Sequence, residues 1–277
     1  MTKVVFITGA SRGIGRETAL AFARAGFDVA ISARTLEEGE SHAHGLRDAD
    51  GKPLSGSLNG TAAAIRELGR KVLVVRMDLL DSRSVLQASA EVFAEFGRID
   101  VLVNNAIYQG SDLNQSFMAL EPQTLERVFQ GYVMTPFLLT RAVVAGMLEQ
   151  GAGVIINVTS GAGESDPPIA ASKGGWGYAY GAGKAAVSRL AGVLSIELGE
   201  QGIRAFTVNP GVVTTEALKA TIGDKGLLAL RAGSAPPSVP AAVMVWLATA
   251  EQAGAFQRRT IAVQPFALEH GIVPDWR

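Results

Sequence analysis

Six short apolar runs recur along this chain, and none of them alternates polar with apolar residues: "KVVFIT" (3–8), "DVAIS" (28–32), "KVLVVR" (71–76), "DVLVN" (100–104), "GVIINVTS" (153–160) and "IRAFTVN" (203–209). A strand that is apolar on both sides must be covered on both faces, which is the situation inside a parallel sheet. Between these runs lie helical patterns near 14–25, 59–69, 82–97, 122–149 and 180–200. Strand, helix and strand repeated in this way predict an α/β fold, a doubly wound parallel sheet of about seven strands joined by right-handed crossovers, with helices on both faces. "TIAVQP" (260–265) reads as a last strand, and with no repeat or linker in sight residues 1–277 read as one domain.

Two segments interrupt the alternation. Residues 36–58, "LEEGESHAHGLRDADGKPLSGSL", are polar and stand between a strand and its following helix, as an inserted surface loop would. Residues 161–179, "GAGESDPPIAASKGGWGYA", leave the C-terminal end of a central strand, where open α/β sheets place their ligands.

Composition narrows the partners. With 25 basic and 26 acidic residues spread without blocks, no footprint for nucleic acid or an anionic membrane is present, and a small-molecule ligand is expected. The chain has no cysteine, so disulfides and thiolate ligands are excluded, and His42, His44 and His270 form no metal spacing with carboxylates; no metal is expected. The N-terminus enters a strand-like run directly, and no apolar run approaches the roughly 20 residues that span a bilayer. A cytoplasmic protein without a membrane partner is the expectation.

"TGASRGIG" (8–15) follows the first strand and opens the first helix. Gly9, Gly13 and Gly15 let the backbone turn sharply and approach a pyrophosphate, with Ser11, Arg12 and Ile14 in the same turn; the N–H groups at the helix start would accept its charge. A carboxylate at the end of the second strand would favour a free ribose, whereas an arginine there would pair with a 2′-phosphate. This sequence reads "ISART", with Arg34 and no acid, and Arg12 reaches from the glycine loop toward the same place. The expected cofactor is NADP(H).

"TGASRGIG", "NNA" (104–106), "VTS" ending at Ser160, "YGAGK" (180–184) and "NPG" (209–211) stand in an order that resembles the short-chain dehydrogenase/reductase family, over roughly residues 3–215. The resemblance implies a Rossmann-type NAD(P)-binding oxidoreductase. It implies that Asp78 and Leu79 hold the adenine, that Asn105 and Ala106 line the adenosine ribose, and that Pro210, Gly211, Val213 and Thr215 hold the nicotinamide and pyrophosphate. It also implies catalysis by Ser160, Tyr180 and Lys184 with hydride transfer to the B face, a substrate lid over 214–235, and a homotetramer or dimer packed through the helices at 122–149 and 180–200. The residues supply a chemical reason for the trio. Tyr180 and Lys184, four apart, share one helical face, so an ammonium there, together with the cationic oxidised nicotinamide, would favour the phenolate and draw the phenol, ordinarily about 10, toward neutrality. Ser160 would orient the substrate oxygen while Tyr180 acts as general acid/base on a ketone, aldehyde or alcohol.

The sequence departs from the family at several points. Tyr132 stands where the family has an asparagine that holds a water in the proton relay, with Gln130 as another polar group nearby. That departure is what supports an alternative, a dinucleotide-binding regulatory protein with weak or no catalysis. Ile107 and Tyr108 follow "NNA" where a glycine is usual, and the stretch from Ser160 to Tyr180 is long. Together they predict a roomy, partly apolar pocket with Tyr108, Trp176 and Tyr178 near its rim.

Overall fold

A computed structural model describes residues 1–221 and 233–276. Its elements in chain order are β1 (Val4–Thr8), α1 (Gly13–Arg24), β2 (Asp28–Ala33), α2 (Leu58–Glu67), β3 (Val72–Arg76), α3 (Ser82–Phe96), β4 (Val101–Asn104), α4 (Pro122–Phe129), α5 (Thr135–Gln150), β5 (Gly153–Val158), α6 (Tyr178–Glu197), β6 (Ile203–Asn209), α7 (Ser238–Thr249), β7 (Thr260–Ala262) and α8 (Val263–Glu269). The seven strands form one sheet in the order β3-β2-β1-β4-β5-β6-β7, every pair parallel. This is the Rossmann-type sheet that the apolar runs predict.

The register explains those runs. Phe6 pairs with Ala30 on one side and Leu102 on the other, and all three point to the face covered by α3 and α5, through Val85, Val92, Leu139, Val143 and Met147. Their neighbours Val5, Ile7, Val29 and Val103 point the opposite way, onto α1 and α7, through Phe22, Val239, Val243 and Leu247. Chain order reverses between β1 and β4, so the crevice of the sheet opens at the C-terminal ends of these two strands.

Three expectations need correction. "TIAVQP" is a strand only to Ala262; from Val263 the chain turns into α8, which buries Val263, Phe266 and Ala267. Helix α7 escaped the periodicity reading because it is apolar on nearly every side, so "SVPAAVMVWLAT" has no stripe to detect. The expected helix over 122–149 is α4 and α5 joined by a π-helical turn at Gln130–Met134. By length and apolar content the stretch Pro122–Gln150 has membrane-crossing dimensions, but half of its most apolar window is buried within this fold. The expected lid over 214–235 lies largely outside the described residues; its first part forms a helical turn at 216–221.

The π-turn sets the position of Tyr132, which is only 1% exposed. Its ring lies against Gly183 of α6, where an added Cβ would stand 2.8 Å from Tyr132 Cδ1 and 2.8 Å from Val128 Cγ1. The large residue and the missing side chain therefore occupy one volume. Gly183→Ala should destabilise the protein by about 1–3 kcal/mol by overpacking, although alanine is the better helix former. In a Tyr132→Asn background the same change should cost distinctly less. Thermal denaturation of the two single variants and the double variant checks the coupling, and strictly additive losses would refute it.

Candidate active site

The glycine loop crosses the mouth of the crevice. Gly9 adopts φ +71°, and its N–H donates to the Ser32 carbonyl of β2 at 2.7 Å. A side chain on Gly15 would collide with the Gly9 carbonyl and with Asn105 Nδ2. Asn105 fastens β4 to the loop, since its Nδ2 donates to Thr8 O at 2.9 Å while its N–H and that of Ala106 donate to Thr8 Oγ1. Arg12 occupies the N-cap of α1, and no side chain caps the helix there. The amides of the first turn, at Gly13, Ile14 and Gly15, thus form a donor set suited to a pyrophosphate. Thr215, at the start of the 216–221 turn, faces the loop, its Cγ2 lying 3.3 Å from where a Gly13 Cβ would be. Ser11 is buried behind it.

The other sequence candidates line the same edge of the sheet. Asp78 follows β3 and accepts from Leu80 N at 3.0 Å, with Leu79 beside it in that turn. After β6, Gly211 takes φ +69°, and Gln264 of α8 donates to Pro210 O at 3.1 Å and Val212 O at 2.7 Å, bracing the turn. Val213 is buried and forms a one-residue parallel bridge to Ala235. The donors and the glycine cradle fit a dinucleotide laid along this edge.

Ser160, Tyr180 and Lys184 come together beside it. Lys184 is 3% exposed and donates from Nζ to Val158 O, the last carbonyl of β5, at 2.9 Å. The ammonium lies 5.4 Å from the centroid of the Tyr132 ring and 6.0 Å from that of Tyr180. Burial alone draws its pKa down to about 7. Ser160 caps the short turn at Gly161–Gly163, its Oγ accepting from Ala162 N at 3.3 Å, and its hydroxyl is close enough to Tyr180 to favour the phenolate. Burial holds the Tyr180 pKa above the ordinary value, against the opposing pull of the Ser160 hydroxyl.

The two arginines expected to select the cofactor are both engaged. Arg12 donates to the carbonyls of Leu54, Ser55 and Gly56, and Arg34 to that of Ala43, all within the 36–58 segment. That segment is therefore more than a surface loop, and it buries Leu54 and Leu58. Tyr108 is not at a pocket rim: it is 4% exposed, and its hydroxyl donates to Asp112 Oδ1 at 2.6 Å. Arg127 and Thr124 bond to the other oxygen of Asp112. Burial would raise the Asp112 carboxyl, but the hydrogen bonds from Thr124, Tyr108 and Arg127 bring it down to about 2. Burial and then Asp112 push Tyr108 up to about 12. Sequence reading missed this cluster, and nothing in the spacing of Tyr108, Asp112 and Arg127 marks it. Gln130 points away to Ser82 on α3, while the Tyr132 hydroxyl donates to Tyr108 O at 3.1 Å. Tyr178 is exposed as expected and Trp176 is partly exposed. No metal-binding cluster of His, Asp or Glu occurs among the described residues.

The sequence model described as short chain dehydrogenase matches residues 3–57 and 53–225. A short chain dehydrogenase of Monascus purpureus is 33% identical over 218 residues, 77% of this chain and 66% of its own length. The chain thus spans just under two thirds of that relative. Among solved structures, a 7α-hydroxysteroid dehydrogenase complexed with NADH and 7-oxo glycochenodeoxycholic acid superposes with a TM-score of 0.76 at 26% identity, covering 94% of this chain and 92% of the other. A metagenomic short-chain oxidoreductase in complex with NADP gives a TM-score of 0.69 at 26% identity, covering 94% and 96%. The glycine loop at the switch point, the Ser160–Tyr180–Lys184 grouping and these matches have one reading: the chain belongs to the short-chain dehydrogenase family.

Proposed function

We propose that this protein is an NADP(H)-dependent oxidoreductase that interconverts a ketone or aldehyde with an alcohol. The observation that carries the reading is the trio itself, a tyrosine beside a strand-end serine and one helical turn from a buried lysine. Bound NADPH would supply the hydride. Tyr180 gives its proton to the substrate oxygen as negative charge develops there, and Ser160 offers that oxygen a second hydrogen bond. Lys184 acts through its charge, which favours the phenolate left on Tyr180, and it can hold a proton for return to that oxygen. With a pKa of about 7, Lys184 is only partly charged near neutral pH, so acceptors on a bound nicotinamide ribose would restore its charge. The preference for NADP(H) draws on Arg12 and Arg34 and on the absence of an acid at the end of β2.

One observation favours the alternative of a binding protein with weak catalysis. The Tyr132 hydroxyl is committed to Tyr108 O, so the position that would hold a relay water offers Lys184 a ring instead. The intact trio favours the enzyme. A homotetramer or dimer is also proposed, through Phe129, Met134 and Phe137 at α4–α5 and Val193 and Ile196 on α6, all exposed and apolar. We read the protein as cytoplasmic and acting on a small molecule.

Two experiments test the site. Tyr180→Phe should abolish NADPH-dependent reduction across a panel of ketones and aldehydes while leaving NADPH binding, followed by fluorescence, within about twofold; retained turnover overturns the assignment. The second uses the buried lysine without cofactor. Lys184 titrates near about 10.4 in the unfolded chain and at about 7 in the fold. Between these values the unfolded chain binds the extra proton, so stability rises with pH across that window and is lowest, and flat, below it. Lys184→Met should therefore raise the melting temperature most at or below pH 7, and the gain should shrink toward pH 10. A difference independent of pH would mean that the ammonium is not desolvated.

A further inference from the structure

The 36–58 segment has no part in the hydride chemistry, yet it is bound tightly to the adenosine end of the crevice. Arg12 reaches into it with Nε to Ser55 O at 2.7 Å and with Nη2 to Leu54 O at 3.0 Å and Gly56 O at 2.9 Å. Arg34, just past β2, donates from Nη1 to Ala43 O at 2.8 Å. Glu40 accepts from Arg76, the last residue of β3, at 2.9 Å and from Leu36 N at 3.2 Å. The fit is close, for a Cβ on Gly56 would stand 2.6 Å from the Ser11 carbonyl of the glycine loop. The segment thus lies across the ends of β2 and β3 and against the phosphate loop.

A guanidinium has five N–H donors, and each of these bonds uses only part of the set. An arginine already held by carbonyls loses less side-chain freedom when it takes a phosphate than one that waves in solvent. His42 stands in the same group, with Nε2 3.4 Å from Glu40 Oε2 and without a hydrogen-bond partner. The groups facing it are Arg34 from the end of β2, Arg76 from the end of β3, Asp78 from the turn after β3, and Glu40 from the segment itself. Burial, then Arg34 and Arg76, keep the imidazole below its ordinary value against the pull of Glu40 and Asp78, so it can gain a proton beside an arriving dianion. The carboxylate of Glu40 is already offset by Arg76.

We infer that residues 36–58 build the 2′-phosphate subsite, the carbonyls of Ala43 and Leu54–Gly56 holding Arg34 and Arg12 in place and His42 serving as a third donor. The inference rests on the NADP(H) reading and assigns that selectivity to the segment rather than to the strand end alone. Isothermal titration of the ligand-free protein with 2′,5′-ADP and with 5′-AMP tests it without any turnover. The wild type should bind 2′,5′-ADP the more tightly. His42→Gln should cut that preference about tenfold, the size of one hydrogen bond to a charged group, with 5′-AMP affinity unchanged. Replacing residues 38–55 by a short Gly-Ser linker should erase the preference, as should Arg34→Ala. If the linker variant does not melt cooperatively, His42→Gln decides alone. A wild type that binds 5′-AMP as well as 2′,5′-ADP overturns the NADP(H) reading itself. A preference lost in Arg34→Ala but untouched in His42→Gln and in a folded linker variant overturns only the role of the segment.

Discussion

An ammonium taken out of water organises the catalytic end of this fold. Lys184 sits 3% exposed on α6, and its Nζ is tied to the last carbonyl of β5. Burying a charge this way is costly unless its surroundings answer it, and here the answer is one carbonyl and the faces of two tyrosine rings. The backbone around it is locked as well. Thr159 Oγ1 and Ser188 Oγ lie 3.1 and 2.8 Å from Lys184 O and 2.6 Å from each other, so one hydroxyl donates to that carbonyl and the other to its neighbour. Gly163 brings the 161–163 turn against the α6 backbone, where a Cβ would stand 2.7 Å from the Lys184 carbonyl carbon. These contacts deliver Ser160 to Tyr180. The trio is therefore a consequence of how β5 is pinned to α6 rather than of three side chains finding one another.

Much of this was legible in the sequence because the constraint is simple. Strands covered on both faces show as unbroken apolar runs, and six runs placed six of the seven strands within a residue or two, with helices in the gaps. The glycine turn and the Tyr180–Lys184 spacing could be read because each demands a residue type at a fixed offset. What escaped was set by tertiary contact. Helix α7 is apolar on nearly every side and so shows no period, and β7 ends at Ala262 because α8 must swing back to brace the 210–212 turn through Gln264. Tyr108 looked like a rim residue from its place after "NNA", but Asp112, four residues on, and Arg127, brought in by α4, draw its hydroxyl inward. Tyr132 stood out in the sequence but Gly183 did not, and only the structure shows that the two fill one volume.

The departures from the family pattern thus compensate one another locally. A ring in place of an amide at 132 is accommodated by a glycine at 183, and the hydroxyl it brings is satisfied by Tyr108 O. Ile107, where a glycine is usual, packs on the apolar cluster of Tyr108, Val128 and Tyr132, and the Tyr108 that follows it is held by the Asp112–Arg127–Thr124 network. In each case a larger residue near the site has gained a partner of its own, so the substitutions read as one repacking of the region between β4 and α6.

Electrostatics divide the crevice into two ends that hold their parts by different means. At the adenosine end, Arg12, Arg34 and Arg76 stand among Glu38, Glu40 and Asp78, and the grip is made of charged groups and carbonyls at a partly wet surface. Such contacts are individually modest and depend on salt and geometry. At the catalytic end a single cation is enclosed among rings and strand-end backbone, where any unpaired polar group is expensive. The first kind of environment can exchange partners when a ligand arrives, whereas the second must be complete beforehand. Changes in the 36–58 segment accordingly act at the charged end without disturbing Lys184, while changes at 132 or 183 act on the ammonium and leave the phosphate loop as it is.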